Sequence, residues 1–517
     1  MKRRSFLQKL ASTGIVLPIA MGFPRMRAFA SSPAGSPFMR LASSANDRIM
    51  ILIRMAGGND GLNTVVPYTN SDYYTARSHG TAENVAIDAD AVVKLPGSGT
   101  LGLHPSLAPL LPLYAEGKMT IVQNVGYPNQ NLSHFRSTDI WLSGSDADVY
   151  DNAGWYAKYL EEKYPEYPGV LPQDPFAIEL GTYLSTTLIG EHGNMGVAFA
   201  DLSYIPGLPG VDPVRPTHAG DEEEYVRQIA RQSNIFSNAI TTAYARQSSN
   251  MVPYPDAAAN PLAGALAGIA KLIAGGLTTQ MYIVNIGNYD THSGQLAQQA
   301  RLHGLFAEAV AAFQRDLEAF GLDERTCMMT ISEFGRRVES NGSGTDHGSA
   351  SPLMVIGTGV VGGIIGHDPD LGDLEGPGNL KPQYDFRQVY ASVLGQWYDA
   401  PEEMIAPKAL PRHFDQLPIF RVDTVSVNEQ TRAAFSLGQN YPNPAAGATR
   451  IPIDGITVGM DARFTLYDLN GRALLRRPVA PGEHAVDLDT RGLPSGGYIY
   501  ELTAGGARHT RTMTVTH

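Results

Sequence analysis

Five short, nearly uninterrupted apolar runs constrain the fold of this chain more than any other feature of its sequence. They cover residues 49–55, 119–125, 281–286, 328–331 and 353–356. Such runs are typical of strands that are buried on both faces of a mostly parallel sheet. Between them lie stretches with the length and mixed polarity of covering helices, at residues 222–247, 262–274 and 295–320. The sequence therefore predicts an α/β layered domain with a mostly parallel central sheet.

The pattern changes after about residue 430. Short segments of alternating polarity, such as residues 463–468 and 497–502, are separated by turn-forming sequences at Asn470-Gly471 and at residues 494–497. This pattern predicts a small all-β module. With 517 residues, 43% of them hydrophobic, the chain is long and apolar enough to form more than one domain with its own core.

The chain is acidic apart from its N-terminus. The first 30 residues hold six basic residues and no acidic one, so the remainder has 33 basic against 51 acidic residues, a net charge of −18. This charge argues against nucleic acid as the main partner. A single cysteine, Cys327, excludes an intramolecular disulfide framework and a cysteine-rich metal site.

Residues 1–30 have the layout of a removable signal peptide, with a basic start, an apolar run over residues 10–23 and a small-residue end. The run is shorter than the roughly 18 residues needed to cross a bilayer, so we expect no transmembrane anchor in the mature chain. A permanent anchor is the minor interpretation. Arg3 and Arg4, followed by Phe-Leu, resemble a twin-arginine signal, which exports folded proteins and would allow a metal to be loaded in the cytoplasm. An ordinary secretory signal is the alternative.

Acidic residues and histidines follow or precede the apolar runs. In chain order they are Asp60, Asp290, His292, Glu333, Asp346 and His347. In an open α/β sheet the ligand site lies beyond the carboxyl ends of the strands. Carboxylate and imidazole donors suit Zn²⁺ or Mn²⁺, and carboxylates also bind Ca²⁺. The sequence therefore predicts one shared site for a divalent metal ion, although Asn-Asp-Gly is also a common turn and a lone histidine is more often structural.

The second apolar run leads to a predicted helix that begins near Ser133 and runs through Trp141. A serine at a helix start is most often an N-cap. If the same helix start faces the crevice, its free N–H groups stabilise an anion there. His134, next to Ser133, is a candidate general acid or base. Both interpretations of Ser133 stay open at this point.

Five motifs resemble the bacterial family described as domain of unknown function 1501. They are GGNDGLNT at residues 57–64, LSHFRS at 132–137, SEFGRR at 332–337, TDHG at 345–348 and DFR at 385–387. The resemblance covers about residues 46–400 and implies an alkaline phosphatase-like fold, because this family is related to the alkaline phosphatase and sulfatase superfamily. Members of that superfamily bind one or two metals at strand ends and use a Ser, Thr or modified Cys at a helix start as the nucleophile.

The resemblance implies a ligand set with two departures from the superfamily pattern. The implied metal ligands are Asp60, Asp290, His292, Glu333 and His347, with Asp346 as a further candidate. Asp290 and His292 resemble an Asp-x-x-x-His element with two residues missing. Phe334 stands where the superfamily has a ligating His or Asn, so one metal position is weakened or is filled by Asp346.

The resemblance also implies roles in catalysis and binding. Ser133 matches the nucleophile, and Arg136 is similar to the Arg that follows the nucleophile in sulfatases. The expected substrate-binding residues are Asn59, Asn63, Asn124 and Arg336.

The C-terminal tail closely resembles the type A sorting domain of type IX secretion. The matching segments are LGQNYPNP at residues 437–444, FTLYDLNGR at 464–472 and LPSGGY at 493–498. This resemblance implies an immunoglobulin-like β-sandwich at residues 435–517, a linker at 401–434, and export by the type IX machinery to the outside or the cell surface. A carbohydrate-binding sandwich is the alternative, with Tyr498 and Tyr500 as its expected exposed aromatics.

These observations support two hypotheses for residues 46–400. The first is a secreted metal-dependent hydrolase that acts on a small phosphate or sulfate ester, in which Ser133 attacks in line and Arg136 stabilises the ester oxygens. The second is a non-catalytic secreted or surface-attached binding protein, in which the metal only holds loops together. Phe334, which cannot bind a metal, favours this second hypothesis.

Overall fold

The computed structural model describes residues 47–200, 235–421, 435–438, 440–457, 462–468, 472–504 and 507–516. These residues form two compact units, one on each side of residue 422. The expected signal peptide at residues 1–30, part of the expected linker and the first part of the expected helix at 222–247 lie outside the described residues. Within the described segments, no helix has the length and hydropathy needed to cross a membrane.

The first unit contains both strands and helices, and eight strands follow one another from β9 to β16. Its strands are β1 Ile49–Met55, β2 Val65–Val66, β3 Val93–Lys94, β4 Gly102–Leu103, β5 Met119–Gly126, β6 Ala177–Leu180, β7 Val197–Phe199, β8 Met281–Ile286, β9 Thr326–Ile331, β10 Gly335–Ser340, β11 Thr345–Gly348, β12 Ser351–Ile356, β13 Gly363–Ile365, β14 Leu374–Glu375, β15 Asn379–Leu380 and β16 Tyr384–Asp385. Its α-helices are α1 Gly61–Thr64, α2 Ser71–Ala76, α3 Leu111–Ala115, α4 His134–Ser143, α5 Trp155–Lys163, α6 Pro261–Ala274, α7 Gln295–Phe320, α8 Phe386–Ser392 and α9 Glu402–Met404, and residues 235–246 are also helical. The five predicted strands and the helices predicted at 262–274 and 295–320 are thus confirmed.

The central sheet has the strand order β13-β5-β12-β9-β1-β8-β6-β7, and β16 also pairs with β5. Strand β1 pairs in parallel with β8 on one side and with β9 on the other. Strand β12 runs antiparallel to both of its neighbours, β5 and β9. The predicted α/β domain with a mostly parallel sheet is confirmed, and the start of β12 lies at the edge where the parallel strands end.

The side chains of β1 alternate between two cores on opposite faces of the sheet. Ile49, Ile51 and Ile53 belong to the core that contains residues of α6 and α7, whereas Met50 and Leu52 belong to the core that contains residues of α4, α5 and α8. Both faces of the strand are therefore buried, which explains why its sequence is apolar and does not alternate between apolar and polar residues.

The TDHG motif forms strand β11, Thr345–Gly348. Strand β11 pairs antiparallel with β10, and Arg336 stands opposite His347 in this hairpin. The hairpin lies between the end of β9 and the start of β12, so it sits at the carboxyl edge of the parallel strands.

The second unit consists of two antiparallel sheets that share one core. Its strands are β17 Ser436–Leu437, β18 Ala448–Asp454, β19 Ala462–Asp468, β20 Ala473–Pro478, β21 Ala485–Asp489, β22 Gly496–Ala504 and β23 Ala507–Val515. The sheets have the orders β17-β18-β21 and β20-β19-β22-β23, and Ile451 and Phe464 come from different sheets of this core. The predicted all-β module is confirmed. Tyr498 and Tyr500 are only 5% and 0% exposed, so they do not form the aromatic surface that the carbohydrate-binding alternative requires.

Candidate metal centre

Loops at the carboxyl edge of the sheet approach one another closely because two of their residues are glycine. At Gly57, after β1, the φ angle is +122° and a Cβ atom would lie 2.4 Å from the backbone nitrogen of Asp290. At Gly344, before β11, a Cβ atom would lie 2.3 Å from the carbonyl carbon of His292. A larger residue at either position would push these loops apart.

Three imidazoles converge on the carboxylate of Asp290. Nε2 of His292 lies 3.1 Å from Asp290 Oδ1 and 3.0 Å from Nε2 of His347. Nε2 of His347 lies 3.3 Å from the same oxygen, and Nε2 of His134 lies 3.4 Å from Asp290 Oδ2. Donors at ~2.0–2.1 Å from a tetrahedral zinc ion stand roughly 3.3 Å apart. The ligand atoms of His134, Asp290 and His347 all lie within 4.8 Å of one another, a spacing that fits a metal ion, and His292 lies beside them.

In two of these imidazoles, the Nδ1 atom contacts an oxygen atom that orients the ring. Nδ1 of His134 lies 2.9 Å from Oε1 of Glu333, and Nδ1 of His347 lies 2.8 Å from the carbonyl oxygen of Leu132. Because an oxygen acceptor selects the tautomer that carries its proton on Nδ1, the lone pair of each ring is left on Nε2. Both Nε2 atoms then face the carboxylate of Asp290, an arrangement that a proton or a metal ion between them would stabilise.

The third imidazole is held in a similar way by the β10–β11 hairpin. Nδ1 of His292 lies 3.4 Å from Oδ1 of Asp346. Asp346 in turn accepts a hydrogen bond of 2.6 Å from Asn341 and pairs with Arg337 at 3.5 Å. The hydrogen bond from Asn341 is the main cause that lowers the pKa of Asp346. Asp346 therefore stays ionised and orients His292 from the side opposite Asp290.

The protonation states of the centre suit a cation. Partial burial raises the pKa of the Asp290 carboxyl, but the hydrogen bond and charge of Arg336, 2.7 Å away, outweigh it and hold that pKa at about 2. Burial lowers the pKa of His347, and the charge of Arg336 adds to that effect. At neutral pH the centre presents an ionised carboxylate and a neutral imidazole, the forms that bind metal ions.

The centre has an apolar wall on one side and an opening on the other. The ring of Phe334, itself 1% exposed, has its centroid 4.9 Å from that of His134 and 4.5 Å from that of His347. The side chains of Asp290 and His292 are 46% and 45% exposed. Phe334 therefore supports the imidazole rings, and solvent reaches the carboxylate.

Two of the expected metal ligands, Glu333 and Asp346, contact histidines of the centre from the side away from Asp290. Glu333 contacts His134 and accepts a hydrogen bond of 2.8 Å from the backbone nitrogen of Gly57. Asp346 contacts His292, as described above. In contrast, His134, which was expected to act as an acid or base, points its Nε2 into the centre. No spacing in the sequence distinguishes a carboxylate that binds a metal from one that orients a histidine.

Asp60 lies outside the centre. It forms a salt bridge with Arg77, and the two side chains are 1% and 0% exposed. It also accepts a hydrogen bond from the backbone nitrogen of Leu62 at 3.1 Å and another from the side chain of Gln295. Its oxygens are occupied by buried donors, which corrects the expectation that Asp60 is a metal ligand. Arg77, its counter-ion, has no sequence motif that would have revealed it.

Of the expected catalytic residues, Ser133 is exposed and directly precedes His134, whereas Arg136 is buried. Ser133 is the exposed N-cap of α4, and its side chain forms no capping hydrogen bond. The guanidinium of Arg136 donates to the carbonyl oxygens of Ala147 and Val149 at 3.1 and 2.6 Å and stacks on the ring of Tyr150. Arg136 therefore anchors a loop, which corrects its expected role beside the nucleophile.

The expected substrate-binding residues are all buried. Asn59 is hydrogen bonded to Thr64, and Asn63 donates to the carbonyl oxygen of Val85 at 2.7 Å. Asn124 is 3% exposed, with a φ of +48°. These three placements correct the expectation that the asparagines contact substrate.

Arg336 is buried as well, but it borders the centre. It donates to the carbonyl oxygens of Gly57, Gly58 and Thr345, and to Asp290. It therefore ties together the loops that form the site, and its charge is directed to Asp290 and not to the opening.

Two family models match the chain. Residues 267–400 match the model described as protein of unknown function (DUF1501), and residues 439–516 match the secretion system C-terminal sorting domain. Both resemblances are thereby confirmed, and the sorting domain indicates a secreted or cell-surface protein. No curated protein was found to match the chain.

Several solved structures are distantly similar to this chain. Ps i-CgsB in complex with a neocarrahexaose is 10% identical, with a TM-score of 0.33 and 86% of each chain covered. A protein in the alkaline phosphatase superfamily from Vibrio parahaemolyticus is 9% identical, with a TM-score of 0.31, 95% of this chain and 88% of that chain covered. The PsFucS1 sulfatase from Pseudoalteromonas sp. is 10% identical, with a TM-score of 0.31 and 88% of each chain covered. Since these scores are low, the fold assignment rests on the strand order and pairing.

Proposed function

We propose that the first unit is a secreted metal-dependent hydrolase of phosphate or sulfate esters, with the metal held by His134, Asp290, His292 and His347. One observation carries this proposal: three imidazole nitrogens converge at 3.1–3.4 Å on an ionised carboxylate that is open to solvent. The sequence-based ligand set is thereby changed. His134 replaces Asp60, while Glu333 and Asp346 orient ligands.

The donor set favours zinc. Three imidazoles and one carboxylate suit Zn²⁺, whereas Ca²⁺ prefers six to eight oxygen ligands. A bound zinc ion supplies a Lewis acid that polarises an ester oxygen and lowers the pKa of a nearby hydroxyl or water. Four protein ligands would fill a tetrahedral zinc shell, so the exposed side at Asp290 and His292 would admit substrate as a fifth ligand, a coordination number that catalytic zinc can reach.

Ser133 is the proposed nucleophile. It directly precedes His134 in the chain, it is exposed, and its hydroxyl is not used as a helix cap. Its Oγ would attack the phosphorus or sulfur atom, the bond to the leaving alcohol would break, and water would then release the acid and restore Ser133. The backbone N–H groups of the first turn of α4, which lack intrahelical acceptors, would stabilise the ester oxygens.

A non-catalytic binding protein on the same scaffold is the second candidate. The observation that favours it is the salt bridge of 2.7 Å between buried Arg336 and Asp290, which supplies the carboxylate with a permanent cationic partner. In this case the metal would only hold the loops of the site together.

Metal analysis and turnover of the purified full chain distinguish the two. The hydrolase should contain about one zinc ion per chain, the number that one four-ligand site holds, and should hydrolyse an aryl phosphate or an aryl sulfate. Ser133→Ala should keep the zinc and lose the turnover. Bound zinc without turnover of either ester class favours the binding scaffold, and absence of bound zinc after zinc loading contradicts the centre itself.

We also propose that export uses two addresses at opposite ends of the chain. The first 30 residues would direct the folded chain to the periplasm by the twin-arginine route, and residues 435–517 would direct it onward by the type IX machinery. Replacing Arg3 and Arg4 by Lys should stop export from the cytoplasm. Deleting residues 435–517 should leave the protein in the periplasm, and unchanged secretion of that variant would contradict the second address.

A further inference from the structure

The second unit exposes an aromatic ring next to two prolines. Tyr441 is 81% exposed, whereas Tyr498 and Tyr500 of the same unit are 5% and 0% exposed. The residues that follow it, Pro442, Asn443 and Pro444, are also exposed. We call residues 441–444 the Tyr441 loop.

Hydrogen bonds from the first sheet of the unit hold one side of this loop. Tyr441 and Arg450 exchange two backbone hydrogen bonds of 2.8 and 2.9 Å. The carbonyl oxygen of Pro442 accepts from Asn440 Nδ2 at 3.1 Å and from Thr449 Oγ1 at 2.8 Å. Asn440 and Thr449 are only 2% and 4% exposed, so these donors are buried.

The second sheet holds the other side. Asn443 Oδ1 accepts from the backbone nitrogen of Thr514 at 2.8 Å, and Ala445 donates to the carbonyl oxygen of Thr514 at 2.7 Å. The hydroxyl of Tyr500 accepts from the backbone nitrogen of Asn440 at 2.9 Å and donates to the carbonyl oxygen of Gly438 at 3.0 Å. Both sheets of the unit therefore fix the conformation of the Tyr441 loop.

Buried polar side chains thus hold in place a loop whose own residues stay in solvent. A single exposed tyrosine is ordinary, but this one is pre-ordered by its anchors and by the prolines beside it. Tyrosines in pre-ordered positions are the residues that dominate protein–protein binding, because little conformational entropy is lost when they bind.

We propose that the Tyr441 loop is the surface by which a protein of the secretion machinery recognises this chain, with the ring of Tyr441 entering an apolar pocket of that protein. The partner is assigned to the secretion machinery because the loop lies within residues 439–516, which match the secretion sorting domain. The proposal rests on the proposed export by residues 435–517, whose own failure would appear as unchanged secretion of the 435–517 deletion, and it is independent of the hydrolase function of the first unit.

Secretion of the full chain from its natural host tests this surface. Tyr441→Ala should lower the secreted fraction about tenfold or more and cause the chain to accumulate in the periplasm. Tyr441→Phe, which keeps the ring, should be secreted like the wild type. Tyr150→Ala is the matched control, since Tyr150 of the first unit is also 81% exposed, and it should be secreted normally.

Each variant is also purified and its melting temperature is measured, so that a folding defect is separated from a recognition defect. Tyr441→Gln, which keeps a long polar side chain without the ring, should lose secretion as Tyr441→Ala does while melting like the wild type. Wild-type secretion of both ring-less variants overturns the proposal. So does an equal loss in Tyr150→Ala, or an equal loss in Tyr441→Phe.

Discussion

Asp60 and Asp290 each follow a parallel strand of the same sheet and each pair with a buried arginine, yet their exposure and their other neighbours differ. The Asp60 cluster, formed by Asp60, Arg77, Gln295 and Gln299, is sealed, and its carboxylate is neutralised by a buried guanidinium. The Asp290 cluster, formed by His134, Asp290, His292 and His347, is open: its carboxylate also pairs with the buried Arg336, but three imidazole nitrogens and solvent reach its oxygens. The comparison teaches that the position of an acid at a strand end does not decide its role. The side chains that surround its oxygens do.

The buried Asp60 cluster also supports the exposed Asp290 cluster. Oε1 of Gln295 accepts hydrogen bonds from Thr345 at 2.6 Å and from Thr291 at 3.2 Å, while its Nε2 donates to Asp60. Thr291 directly precedes His292, and Thr345 lies two residues before His347. The buried carboxylate therefore helps to position the loops that carry two of the proposed metal ligands.

The largest expected effect comes from removing the buried counter-ion. Arg77→Met leaves Asp60 charged and unpaired in the interior, so the free energy of unfolding of the first unit should fall by about 3–5 kcal/mol. Urea unfolding followed by tryptophan fluorescence measures it, because Trp141, Trp155 and Trp397 all lie in the first unit. Asp346→Asn in metal-free protein is the control. Since Asp346 is 42% exposed, that change should cost less than about 1 kcal/mol. A similar cost for both variants would remove the distinction between the two clusters.

The next effect is on zinc affinity. His347→Ala removes a proposed ligand and should weaken zinc binding about 100-fold or more, at least as much as the strongest effects of residues that only orient ligands. Competition titration against a chromophoric chelator measures this change. The same substitution at exposed His367 should leave the zinc affinity unchanged. Equal zinc affinity of His347→Ala and the wild type would contradict the Asp290 cluster as a metal site.

A smaller loss of zinc affinity is expected at Glu333. Glu333→Gln keeps an oxygen near Nδ1 of His134 but removes the charge that holds the ring, so the affinity should fall roughly tenfold. The titration used for His347→Ala also serves here. A loss as large as that of His347→Ala would restore Glu333 as a direct ligand, as the sequence suggested.

The smallest effect is expected on the stability of Ser133→Ala. Because the Ser133 side chain forms no capping hydrogen bond, the change should cost less than about 0.5 kcal/mol of unfolding free energy. Asn70→Ala is the matched control, since Asn70 caps α2 by accepting a hydrogen bond of 2.8 Å from Asp72, and it should cost about 1 kcal/mol. If Ser133→Ala costs as much as the control, Ser133 acts as a cap.

The elements of the first unit were predictable because their signal is local. A strand that is buried on both faces needs a continuous apolar run, as residues 281–284 show, and a long surface helix needs the mixed polarity of residues 295–320. The antiparallel direction of β12 was not predictable, because pairing direction depends on which strands become neighbours. That direction brings the start of β12, and with it His347, to the edge where Asp290 lies.

The sequence by itself determined the layered α/β unit, the all-β sorting module and the group of acids and histidines from which a site is built. Only the tertiary structure decided which of them face one another. Arg77, remote in sequence from any motif, neutralises Asp60, while Glu333 turns His134 toward Asp290. The physical reason is that the charge and direction of a ligand depend on neighbours that are distant in the chain. A residue pattern records what each side chain can do, and the fold selects which of these interactions is made.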